Sequence, residues 1–175
     1  MNINFCSIDW NELFKLVTPF IITFLVYNFW HRQKSKEVVA NEVKDLLKSV
    51  LEEASVVALL KFETQLNMDL IKAKIERLDS LNQTIFRSTL FIKLCIKDSN
   101  LEKLLESYTS NSNNLFIKFK RNLLNVAGPI NYKDSLSLYA DEYSAYTKSL
   151  EKVIAELAPY STYKKKLKIP DFSKK

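Results

Sequence analysis

The longest apolar run in the chain is Leu16 to Trp30, LVTPFIITFLVYNFW, which carries no charged residue. Fifteen helical residues rise about 22 Å, short of a hydrocarbon core of about 30 Å. Extending the run back to Trp10 gives roughly the full thickness, since 21 residues rise about 32 Å. The extension takes in Asn11, Glu12 and Lys15, whose side chains sit in the first turns and reach toward headgroups. Glu12 and Lys15 are also spaced i, i+3, which lets their charges offset. Pro19 falls near the first turn of the uncharged run, where a missing backbone donor does least harm. The pattern predicts a transmembrane helix over 10–30. The run is apolar on every face, unlike an interfacial helix with one polar side. A cleaved signal peptide would want basic residues before the run and a small-residue cleavage site after it, whereas Tyr-Asn-Phe-Trp-His-Arg follows. The competing reading is a buried core helix.

Downstream, the apolar positions step by three and four. Val39, Val43, Leu46, Val50, Ala54, Val57 and Leu60 form one stripe, widened by Leu47, Leu51 and Ala58, and predict a helix over 36–65. The opposite face is read as solvated, with Glu42, Lys44, Asp45, Lys48, Glu52 and Glu53. A second helix over 66–96 follows from Ile71, Ile75, Leu78, Ile85 and Ile92, with Asn82 and Thr89 at intermediate seam positions. Residues 89–96 also fit a strand, although no second strand is evident. KDSN at 97–100 is a break, and Ser99 with Glu102 matches a capping box. A short helix over 99–108 then runs into TSNSNN, read as a loop. A helix over 114–126 has Leu115, Phe116, Phe119, Leu123 and Val126 on its apolar side and ends at Ala-Gly-Pro, 127–129. The last helix, 132–158, is the most regular: Leu136, Tyr139, Tyr143, Tyr146, Leu150, Val153 and Leu157 alternate three- and four-residue steps up to Pro159. The fold class expected is all-α: one N-terminal transmembrane helix, then a helical bundle with coiled-coil-like helices.

Composition supports long helices, because the chain has one Gly and four Pro. Charge adds an orientation. Arg32, Lys34, Lys36, Lys44 and Lys48 follow the span, while Lys15 is the only basic side chain before or within it. The bias places the carboxyl-terminal side in the cytoplasm. Trp10 at one end and Tyr27 and Trp30 at the other fit the interfacial belts, so Trp10, Pro19, Tyr27, Trp30 and Arg32 are the anchor residues. Residues 1–9 form a short exterior tip, and 31–158 a cytoplasmic domain. The 159–175 tail is expected to be disordered. Residues 160–175 hold six Lys and one Asp, so most of the net charge of +6 lies there and the remainder is nearly neutral. That argues against a nucleic-acid surface on the domain. Lys164, Lys165, Lys166 and Lys168 are candidate contacts for anionic lipid. Frequent Lys, Asn, Leu, Ile and Ser fit an AT-rich, bacterial source.

Catalytic and metal chemistry find little support. The single histidine, His31, sits at the membrane edge, and the cysteines, Cys6 and Cys95, fall on opposite sides of the proposed span. Nucleophilic triads, zinc sites and di-iron sites need more of these residues, and the lone Gly128 cannot build a phosphate loop. No catalytic, cofactor-binding or metal-ligating residue is therefore expected. The leading expectation is a protein at the bacterial inner membrane, amino terminus outside. It would act by assembly, scaffolding or regulation of a partner at the cytoplasmic face. The stripe from Leu136 to Leu157 reads first as a core or oligomer seam and second as an aromatic docking face for a partner protein, and self-association or a protein partner would engage the cytoplasmic helices. The alternative is an oligomerising membrane effector, toxin-like or of phage-defence type, with Thr18, Thr23 and Asn28 between spans. A cytoplasmic enzyme using carboxylates is a remote third.

Overall fold

The computed structural model describes residues 10–62, 68–124 and 139–162, without the side chains of Arg32, Leu123 and Leu124. The protein is almost entirely helical, and no strand forms among the described residues. Among the described residues there are four helices: α1 (Trp10–Phe62), α2 (Met68–Cys95), α3 (Ser99–Leu124) and α4 (Ala140–Ser161). Two compact units divide after Val38. In the first, α1 stands with its side chains outward. The second, from Val39 onward, holds the core.

Within this second unit the side-chain pairings set the topology. Arg77 of α2 clasps Glu52 of α1 through Nε at 2.7 Å and Nη2 at 2.5 Å. Lys93 of α2 pairs with Glu102 (3.2 Å) and Glu106 of α3. Asn111 of α3 donates to the Ala145 carbonyl of α4 at 3.3 Å, and Lys118 pairs with Glu142. Glu42 of α1 also acts on Cys95 of α2, and Ser112 of α3 lies against Asn82 of α2, so across each pair residue numbers rise on one helix as they fall on the next and successive helices are antiparallel. The result is an up-down-up-down four-helix bundle.

The core follows the three-four periodicity. It takes Val39, Val43, Leu46, Val50, Val57 and Leu60 from α1 and Ile71, Ile75, Leu78, Leu81, Ile85 and Ile92 from α2. From the other two helices come Leu101, Leu105, Tyr108, Leu115 and Phe119, then Tyr139, Tyr146, Val153, Leu157 and Tyr160. Fully burying one large aliphatic or aromatic side chain contributes roughly 1.5–3 kcal/mol.

Three details differ from the sequence expectation. TSNSNN is not a loop: α3 runs unbroken from Ser99 to Leu124. Its polar side chains find partners that helical geometry provides. Thr109 donates to the Leu105 carbonyl at 2.9 Å, Asn111 reaches Ala145, and Ser112 is buried in the core. The α3 cap is Asp98, not Ser99, since Asp98 Oδ1 accepts the backbone N–H groups of Asn100 (3.0 Å) and Leu101 (3.2 Å). Helix α4 continues past Pro159 to Ser161. A proline in the last turn removes one backbone donor, and burial of Tyr160, whose hydroxyl donates to Asp98 Oδ2 at 2.8 Å, holds that turn. Residues 89–95 are helical, which disposes of the strand alternative. The proposed helix stop at 127–129 and the start of the last helix at 132 lie outside the described residues.

Candidate functional site

Two regions of the chain carry chemistry. The first is the apolar half of α1. Every residue from Trp10 to Trp30 is exposed, including Phe20 and Phe29, each 72% accessible. This is one helix long and apolar enough, near the amino terminus, to cross a membrane. Pro19 is accommodated inside it. The Thr18 hydroxyl donates to the Phe14 carbonyl at 2.6 Å and that of Thr23 to the Pro19 carbonyl at 2.7 Å, so both hydroxyl hydrogens are satisfied within the helix. At the far end the His31 ring meets Tyr27 edge-on, centroids 4.3 Å apart, and Trp30 at 5.2 Å. Trp10, Tyr27 and Trp30 are thus exposed aromatic groups at opposite ends of the run.

The second region lies inside the bundle, at Glu53. The sequence pattern placed Glu53 on the solvated face of α1. It is instead completely buried, while its neighbour Leu51, counted with the apolar stripe, is 55% exposed. The Tyr108 hydroxyl donates to Glu53 Oε2, and the Ser112 hydroxyl lies against Oε1, both from α3. Ser112 Oγ also lies 3.1 Å from Asn82 Oδ1 on α2. Tyr146 of α4 completes the surroundings, its ring tilted 35° to that of Tyr108 with centroids 5.9 Å apart. Its buried hydroxyl has no hydrogen-bond partner, and neither do Asn82 Nδ2 and Thr89 Oγ1. Four helices thus converge on one carboxyl.

Burial pushes the Glu53 carboxyl above its usual range, against the opposing effect of the Ser112 and Tyr108 hydroxyls. The Tyr108 and Tyr146 phenols are pushed up, first by burial and then by the Glu53 carboxyl. Both stay protonated at any physiological pH. Elsewhere, hydrogen bonds that Lys93 donates to Glu106 and Glu102 raise its ammonium, and the Lys118 contact lowers Glu142. Burial lowers Lys61, whose Nζ lies 3.4 Å from the Tyr143 ring centroid. The Cys95 thiol is half-buried and pushed up by burial, with Glu42 adding to it; it is not a reactive thiolate.

The other carboxylates singled out from the sequence do not gather around Glu53. Asp45 pairs with Lys48 at 2.9 Å and Glu52 with Arg77, both at the surface. No group of three metal-binding side chains forms among the described residues.

The stripe of the last helix, read as helix packing or as a partner face, is turned inward. Tyr139, Tyr146, Val153 and Leu157 are buried, and Tyr143 and Leu150 pack half-buried against the core. Leu136 and Lys164, Lys165, Lys166 and Lys168 lie outside the described residues. A ridge of exposed apolar side chains runs along α2. Phe86, Leu90 and Leu94 recur every four residues and so share about 80° of its circumference, with Phe91 farther round. Leu94 is 71% exposed. This ridge was missed in the sequence, where only the buried seam of α2 was followed.

No known family model, curated protein or solved structure matches the chain.

Proposed function

We propose that the protein is a single-pass membrane protein that acts by assembly, with its bundle on the cytoplasmic face of a bacterial membrane. The observation that carries this reading is the uncovered apolar length of α1 from Trp10 to Trp30, chemically separate from a bundle with its own closed core. Water would expose about twenty helical residues of mainly apolar surface, which soluble monomers avoid; lipid would cover them. Lys34 and Lys36 after the span support the orientation. The tail lysines 164–166 and 168 are proposed to meet anionic headgroups, each contributing about 1 kcal/mol near the surface.

For assembly, the exposed ridge of Phe86, Leu90 and Leu94 replaces the tyrosine stripe as the proposed contact, and its occupant is a second copy of the chain. Copies held in one membrane meet at a raised effective concentration, which favours a modest apolar contact. The effector alternative loses support from Thr18 and Thr23, whose hydroxyl hydrogens already bond within their own helix.

The deciding experiment is a carbonate wash followed by impermeant thiol labelling of cysteines introduced at Ile3 and Pro170, with Cys6 and Cys95 replaced by Ser. Retention in the membrane, labelling at Ile3 from outside and protection at Pro170 are expected. Recovery in the wash, or labelling at Pro170 instead, overturns the reading. In the same background, Leu94→Cys should give a disulfide-linked dimer in membranes. A product of another mass would mean a different protein partner.

A further inference from the structure

The Glu53 cluster contains a proton count that its geometry does not balance with an ionised carboxylate. Ser112 has one hydroxyl hydrogen, yet Oγ lies between two oxygens, Glu53 Oε1 and Asn82 Oδ1. Neither a carboxylate nor an amide oxygen can donate. The Tyr108 hydrogen is directed at Glu53 Oε2. Two hydrogens therefore serve three buried acceptors. A proton on Oε1 closes the chain: Glu53 donates to Ser112, Ser112 donates to Asn82 Oδ1, and Tyr108 donates to Oε2. Each of these oxygens is then satisfied, although Asn82 Nδ2 keeps no partner.

The charges nearby agree. On α1, Glu52 points outward to Arg77. From α2 the cluster meets the uncharged Asn82, with the acidic Asp79 one turn away beside it in a surface groove. Tyr108 and Ser112 come from α3, and Tyr146 from α4; all three are neutral. No Lys, Arg or His from any of the four helices bonds to the carboxyl among the described residues. An anion here would be buried without a counter-charge, a costly arrangement.

We propose that Glu53 is held as the neutral acid in the closed bundle and that this proton is a latch, whose loss to water frees α3 from α1. Folding raises the affinity of Glu53 for its proton. The stabilisation is therefore complete at low pH and is lost as pH rises through the folded-state value. A rise in cytoplasmic pH is then a signal that opens the bundle and exposes its tyrosine-lined core.

The test uses the full chain in detergent micelles and reads backbone hydrogen exchange over residues 104–116, corrected for chemical exchange, between about pH 6 and pH 9. In the wild type, protection should fall with pH by up to about tenfold per unit while Glu53 is ionised in the open state and still protonated in the closed one, and should level off once the closed state has lost the proton. Glu53→Gln should keep its protection flat, since an amide places N–H toward Ser112 and C=O toward Tyr108. Flat or rising protection in the wild type overturns the latch, as does an equal fall in the Gln variant. Should that variant fail to fold, infrared spectra of the wild type labelled with carboxyl-13C glutamate give an independent answer. An isotope-shifted acid C=O stretch at neutral pH is expected. Its absence would mean that the Asn82 amide is turned, with Nδ2 donating to Ser112 and Ser112 to a carboxylate, and the proposal fails.

Discussion

Tyr108 and Tyr146 are two buried tyrosines a few ångströms apart whose hydroxyls play different parts. The Tyr108 hydrogen satisfies a buried carboxyl oxygen, whereas that of Tyr146 satisfies nothing described. Removing a donor from a buried acceptor costs about 1–3 kcal/mol, while removing an unpaired hydroxyl is close to neutral. Tyr108→Phe should therefore lower the denaturant midpoint clearly, and Tyr146→Phe should leave it unchanged or raise it. Equal losses in both would contradict the assignment of partners. Asp98 carries two duties, capping α3 and accepting from Tyr160, so Asp98→Ala should cost at least the 0.5–2 kcal/mol or so of a lost N-cap. Tyr160→Phe should recover only part of that loss when measured alone. At this scale the sequence was partly legible. Glu53 falls in step with Leu46, Val50, Val57 and Leu60, so spacing alone would have set it on the buried seam. Residue type argued the other way, because a lone carboxylate is seldom buried, and Ala54 was taken in its place. What justified the burial lay 55 and 59 residues away in Tyr108 and Ser112, beyond any local pattern.

At the scale of elements, periodicity carried most of the information. Most seam positions of α1 and α2 follow three-four spacing as expected, with Thr89 buried between aliphatic neighbours, Leu51 and Glu53 being the exceptions on α1. The error in α3 came from local propensity, since Ser, Thr and Asn favour caps and turns when nothing else engages them. Here Leu105, Tyr108, Ser112 and Leu115 keep the helical step straight through the polar run. Ser110→Pro discriminates the two readings. A loop would tolerate it, whereas a helix interior should lose about 3 kcal/mol or more, seen as a lowered thermal midpoint by circular dichroism. Pro159 misled in the opposite sense. The stripe from Tyr139 to Leu157 predicts its next member three residues on, at Tyr160, and that residue is buried as the pattern demands.

At the scale of the molecule, the bundle begins at Val39 and its last described turn ends near Ser161. Contact of the α2–α3 corner with Tyr160 through Asp98 puts the end of α4 beside the start of α3. Glu42 acts on Cys95 at that same level, so the beginning of the bundle on α1 and its end on α4 share one end. The last described helix therefore ends at the end of the bundle where α1 begins it. Replacing Lys164, Lys165, Lys166 and Lys168 with Gln should leave carbonate-resistant anchoring intact. In a form lacking the span it should reduce capture by anionic vesicles, and binding to neutral vesicles should be weak throughout. Undiminished capture would exclude the lysines as lipid contacts.

The carboxyl at the centre of the bundle also fixes how the helices line up. Apolar stripes that repeat every seven residues are nearly interchangeable with themselves. Sliding α3 by one heptad along α1 would replace Tyr108 with Leu101 or Leu115, and Ser112 with Leu105 or Phe119. Either slip would bring Glu53 against hydrocarbon alone, while the oily contacts elsewhere would hardly notice. One acid among aliphatic residues thus acts as an address: a bundle assembled out of step is penalised at a single point, and only one alignment of α3 on α1 is free of that penalty.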